Sequence, residues 1–124
     1  SNVKSDIIIE QSSLSNQLNK EFVKNNLISY SINSSDNYSF IFTDDIYDLV
    51  VNRTEYTIKF GKYTYKFPEG TKIGNPSIDI KTFSVYSGND SIFILNIPIT
   101  NNKFPDENFD VNIVYMYNSN ALNL

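Results

Sequence analysis

Carboxylates are the side chains of this chain best equipped for chemistry, because it contains neither His nor Cys. Asp44-Asp45-x-x-Asp48 and Asp106-Glu107-x-x-Asp110 repeat one spacing, and Glu55 and Asp79 stand apart from them. Such acids could supply oxygen ligands to Ca²⁺, or an acid and a base flanking a glycosidic bond. Neither run has the Gly or the terminal Glu of an EF-hand loop, and nothing in the sequence pairs the acids across a cleft. Most of these acids sit in predicted turns, where Asp accepts hydrogen bonds from backbone amides. No Gly-rich phosphate loop and no nucleophile elbow occurs. The sequence therefore assigns no catalytic residue, no cofactor and no metal site. The acidic turns could instead meet a basic partner. Asp44, Asp45, Lys72, Asp106 and Glu107 are the candidate partner-contact residues.

The charge balance narrows the partners. Fourteen acids against ten bases leave a net charge of −4 in 124 residues. A general nucleic-acid binder needs Lys and Arg to displace phosphate counterions, so nucleic acid is not an expected partner. Basic residues do gather in mid-chain, at Arg53, Lys59, Lys62, Lys66, Lys72 and Lys81, with Tyr63 and Tyr65 among them. On strands these lysines alternate away from the tyrosines, which predicts core tyrosines and a solvated or edge-protecting row of lysines. Four Asn-x-Ser/Thr matches, at Asn33, Asn37, Asn52 and Asn89, are what chance provides in a chain so rich in Asn and Ser. Without cysteine there is no disulfide framework.

The elements that position these residues follow from hydrophobic period. Ile7, Leu14, Leu18 and Phe22 recur at helical spacing, and Val23 and Leu27 widen the stripe. The spacing predicts one long helix within residues 3–29. Ser5 is a candidate cap, Asp6 and Glu10 lie near the positive end, and Asn25-Asn26 is a possible early stop. From Tyr38 to Tyr117 the period is two, and the antiparallel strands are assigned to 30–117. Strands are predicted at Ile28 to Asn33, Tyr38 to Thr43, Ile46 to Val51, Thr54 to Phe60 and Lys62 to Phe67. Further strands are predicted at Ser77 to Tyr86, Ser91 to Ile99 and Phe109 to Tyr117. The segments 68–76 and 101–108 read as loops. A phase slip at Lys81-Thr82 predicts a bulge, and Ser91 to Ile99, apolar on both faces, reads as a central strand. Residues 118–124 read as a tail. The whole is one domain, 1–124, of α+β class, with a helix laid on an antiparallel meander sheet. Ser1-Asn2 resembles the remnant a protease leaves at a cut site, which would imply a native segment upstream.

The order of these elements carries a resemblance. The run Leu14-Ser-Asn-Gln-Leu-Asn-Lys-Glu-Phe22 to Leu27 leads into Tyr38-Ser-Phe-Ile-Phe-Thr43. Ile46-Tyr47, the Tyr56 to Phe60 strand, Ile78-Asp-Ile-Lys-Thr-Phe83-Ser-Val85 and Ser91 to Ile99 follow. This order resembles the globular part of type IV minor pilins and type II secretion pseudopilins of low-GC Gram-positive bacteria. The resemblance implies a non-catalytic subunit of a type IV pilus-like fimbrium at the cell surface. It implies contact with other pilin subunits through the N-terminal helix, with Ile7, Leu14, Leu18 and Phe22 as assembly residues. It also implies subunit or ligand contacts at the free sheet edge and around Gly70, Gly74 and Asn101. Membrane contact would come only through a removed upstream, transmembrane half of that helix. The chain departs from the family pattern in having no apolar run of about twenty residues with an early Glu, since Ile7-Ile8-Ile9-Glu10 is too short. Two other readings compete: a surface or secreted binding module (lipoprotein, adhesin or immunity-type) recognising a protein partner, and an enzyme built on paired carboxylates.

Overall fold

The helix forms where its apolar spacing places it, but it is shorter than expected. The computed structural model describes residues 2–86 and 88–118, and in it α1 runs Val3–Asn25. Asn2, not Ser5, is the cap: its side chain accepts from the Ser5 amide at 3.2 Å. The helix stops at Asn26, whose φ of 55° lies outside helical space. Asn tolerates that region better than most residues, so a chain with Asn here can turn at once into a strand. Leu27 is accordingly buried from a strand and not from a helix, and Val23 is 69% exposed, outside the stripe. The expected tail falls mostly on 119–124, which lies outside the described residues, as does Ser1.

Among the described residues ten strands follow, in three antiparallel sheets where one meander was expected. Strands β1 (Leu27–Ser34), β2 (Asn37–Phe42), β3 (Ile46–Asn52), β4 (Thr57–Phe60) and β5 (Tyr63–Lys66) do form a meander in sequence order. Thr54 to Tyr56, expected in strand, instead build the β3–β4 turn, where the Asn52 side chain accepts from the Thr54 and Glu55 amides at 3.1 Å each. The second sheet has the order β10-β8-β7, from β7 (Ser77–Val85), β8 (Gly88–Ile97) and β10 (Val111–Asn118). Its central strand is the one expected. The third pairs two three-residue strands: β6 (Thr71–Ile73), inside a segment read as loop, and β9 (Ile99–Asn101), which runs from the end of the expected Ser91 to Ile99 strand to the start of a segment read as loop. Gly74 is needed beside this pair, because a Cβ there would lie 2.9 Å from the Pro98 ring. The expected bulge at Lys81-Thr82 is absent, since β7 and β8 stay in one register from Ser77↔Asn96 to Val85↔Gly88. Irregular pairing occurs in β1 instead, between Leu27 and Ser29 and between Ile32 and Ser34.

One ring closes the core. Phe22 of α1 meets Phe40 (5.4 Å) and Phe42 (5.8 Å) of β2, Phe93 (5.5 Å) of β8 and Tyr115 (6.0 Å) of β10. Most of these contacts are edge-to-face, the favoured arrangement of aromatic quadrupoles. Ile7, Leu14 and Leu18 extend the contact along the helix, which packs on β10 and touches β5 and β1. Phe22→Ala should cost about 3–5 kcal/mol of unfolding free energy, the usual range for emptying a buried aromatic site. Val23→Ala, one residue away, should change it by less than about 0.5 kcal/mol. Urea denaturation of both variants checks the contrast.

Candidate functional site

The two acidic runs do not share a site. Asp44 and Asp45 are exposed between β2 and β3, where the Asp45 carbonyl accepts from the Phe42 amide at 2.7 Å. This turn sits at the end of the helix: the Thr43 amide donates to the Asn25 carbonyl at 3.2 Å. Glu107 lies at the other end, ion-paired with Lys4. A helix rises 1.5 Å per residue, so the two turns are on the order of 30 Å apart. Paired glycosidase carboxylates stand within about 10 Å of each other, so one acid from each turn cannot serve one bond.

Within each run the acids also part company. Asp48 accepts from Ser39 Oγ at 2.8 Å across the β2–β3 ladder. Asp110 takes the Ile99 amide at 2.9 Å on its side chain, while its carbonyl accepts from Gln11 Nε2 at 3.0 Å. Asp106 and Lys72 are exposed. Among the described residues no three His, Cys, Asp or Glu side chains converge as they would around a cation. The arrangement holds loops and the helix in place. Of the candidate partner-contact residues, the Asp44–Asp45 and Asp106–Glu107 pairs lie at opposite ends of the helix.

The lysine row divides as alternation predicts, with one exception. Lys59, Lys62 and Lys66 are exposed and Tyr65 is buried, but Tyr63 is on the surface, with Lys62 Nζ 5.5 Å from its ring centre. Arg53 does structural work: its guanidinium pairs with Asp36 and donates to the carbonyls of Ile73 (2.7 Å) and Gly74 (3.2 Å) and to Asn75 (2.9 Å). That fork ties the β6 segment to the first sheet.

A groove of about 590 Å³ lies between α1 and the β3 and β4–β5 strands. Its wall is Tyr47, held between Phe42 and Phe60 at 5.5 Å each, with Gly61 against its ring face. Glu21 flanks it, buried, and accepts from the side-chain amides of Gln17 and Asn25. Burial raises the Tyr47 phenol above the ordinary tyrosine value, and Glu21, Asp45 and Tyr63 push it the same way. Tyr47 is therefore neutral at physiological pH. Lys20, Lys59, Lys62 and Asp48 also line the groove. Nothing in it forms a nucleophile–base pair.

The helix carries its four expected assembly residues inward. Ile7, Leu14, Leu18 and Phe22 are all completely buried against the chain's own sheets. What α1 offers a neighbour is the other face, with Ile8, Ile9 and Val23 exposed. Among the described residues no helix is long and apolar enough to cross a membrane.

A surface that the sequence reading missed lies on the outer face of the β10-β8-β7 sheet. Register places Val114 beside Ile94 and Asp79, and Met116 beside Ile92 and Lys81. Val114 and Met116 are 60% and 63% exposed. Two apolar rows thus lie open on one side of a sheet whose other side is core. The signal was in the sequence: Val114 and Met116 occupy the even positions of a strand whose odd positions were read as apolar. With the geometry in view, no protein-family model, no curated protein and no solved structure matches this chain.

Two outcomes follow. Replacing both Asp44 and Asp45 with Asn should move unfolding free energy by less than about 0.5 kcal/mol, as for a solvated turn; calorimetry checks it. Tyr38, Tyr47, Tyr65 and Tyr115 all have phenols raised above the ordinary value, chiefly by burial. The folded state then holds these protons more tightly than the unfolded chain does. Their contribution is complete below the unfolded tyrosine value of about 10 and is lost as pH rises through the folded values. Ultraviolet titration should show Tyr38, Tyr47, Tyr65 and Tyr115 ionising late, together with alkaline unfolding.

Proposed function

We propose that this chain is the globular part of a non-catalytic subunit of a type IV pilus-like cell-surface fibre, a minor pilin. The observation that carries the reading is the disposition of α1. A single N-terminal helix of 23 residues spans the domain and buries one stripe across two antiparallel sheets, while the chain enters at its Asn2 end. An apolar helix continuing upstream from that end would leave the domain as a shaft for packing against other subunits. The scattering of the carboxylates into separate structural tasks supports a non-catalytic role. In this reading Ile8 and Ile9, exposed on the first turns, carry the shaft's apolar surface on to the domain, and the fibre stands outside the cell.

A binding module remains the second reading, favoured by Asp44 and Asp45, which are exposed and in no ion pair among the described residues. It predicts a partner complex that weakens when both become Asn, and a salt-sensitive association rate.

Sequencing the mature protein from its own cells separates the two. The fibre reading expects a continuous apolar segment of about twenty residues in helical phase with Leu14 and Leu18, and recovery of the protein in the sheared fibre fraction. A lipidated Cys at the mature N-terminus, or an upstream segment with no apolar run, would overturn it.

A further inference from the structure

The sheet edges of this molecule are not equivalent. The outer edge of β5 is four residues long and lies by the helix, and α1 packs on β10. The β1 edge is broken by two register irregularities. The β7 edge differs from all of these. It is nine residues long, its register with β8 is unbroken, and it contains no Pro and no bulge. Among the described residues no backbone group of Ser77–Val85 bonds to anything beyond β8. Such an edge is a template for another strand unless its side chains forbid it.

The side chains select the strand. Charges at an edge protect it when a second copy would place like charges together. Here Asp79 and Lys81 stand on the outer face, one on each side of Ile80, 3.9 Å apart as an exposed pair. If β7 pairs antiparallel with β7 of another molecule about Ile80, residue 79 of each chain lies opposite residue 81 of the other. Both cross-strand pairs are then of opposite charge, and opposite pairs on one face attract while like pairs repel. Moving the axis to Asp79 or Lys81 would set a charge against itself. The same register puts Ser77 opposite Phe83, and so gives the 41%-exposed Phe83 ring a neighbouring strand to lie over. Because the twofold axis is normal to the sheet, the outer apolar rows of Ile92, Ile94, Val114 and Met116 continue on the same side in both copies.

We propose that β7 is a self-association edge, through which two copies of this chain join in a continuous six-stranded sheet, β10-β8-β7 followed by the partner's three strands, centred on Ile80. This contact does not rest on the fibre reading, and its failure would leave the test of the upstream segment untouched.

Sedimentation equilibrium of the chain, of Asp79→Lys and of Lys81→Asp tests it. Both side chains are largely exposed, at 62% and 66%, so the variants should fold, which circular dichroism confirms. The unaltered chain should dimerise. Each variant alone should dimerise at least about tenfold more weakly, because each sets two like-charged pairs across the junction. An equimolar mixture of the two variants should recover dimer, since the mixed junction again has two opposite pairs. A chain that stays monomeric up to about 1 mM, a dimer indifferent to both substitutions, or a mixture that fails to recover would each overturn the proposal.

Discussion

The contact of Phe22 with rings from two sheets is what the rest of the structure depends on. Through this ring α1 is held against both sheets at once. Phe40 and Phe42 approach from β2, and Phe93 and Tyr115 approach from β8 and β10. Phe93 also meets Phe40 at 6.3 Å and Tyr30 at 5.7 Å, so the sheets touch each other where they touch the helix. Aromatic pairs add stabilisation beyond area burial, and here they also fix angle, because edge-to-face packing is directional. The sharp turn at Asn26 follows from this. With Phe22 pinned, the chain must leave the helix within one turn for Leu27 to enter the first sheet.

What was legible in the sequence tracks how local the cause is. The stripe Ile7, Leu14, Leu18 and Phe22 is set by helical period alone, and it was readable. The meander β1 to β5 was readable because each strand alternates and each turn carries its own Asn, Asp or Gly. The pair β6–β9 was not. Thr71 finds Asn101 across thirty residues, and the strands hide among Pro68, Gly70, Gly74, Pro76 and Pro98. Their buried polar side chains, Thr71 and Asn101, satisfy each other at 3.0 Å, a contact that no periodicity announces. Val23 was misread because a widened stripe is indistinguishable, by spacing, from a helix edge in solvent.

The phase slip at Lys81-Thr82 shows how a correct observation can have the wrong cause. Ile78 and Ile80 face the core, while Phe83 lies on the opposite face with Asp79 and Lys81. A bulge would restore phase only if Phe83 had to be buried by its own chain. An edge strand is under no such demand, so the register runs straight and the ring emerges on the other side. The acids were legible as turn chemistry and as nothing more. Their particular duties, such as Asp110 holding both β9 and the helix, depend on which strands become neighbours.

Beside the dispersed carboxylates, β7 and α1 each leave a surface open. They differ in kind. The exposed face of α1 offers isolated apolar side chains on a mostly polar helix, which gains a partner only if more helix continues it. The β7 edge offers backbone donors and acceptors in a fixed register, where affinity comes from the ladder and selectivity from side chains that permit or refuse a given strand. Opposite charges placed symmetrically about one residue favour the register centred there and oppose the two centred on the charges themselves. That is a stronger constraint than exposed apolar area, because area is indifferent to register and charge is not.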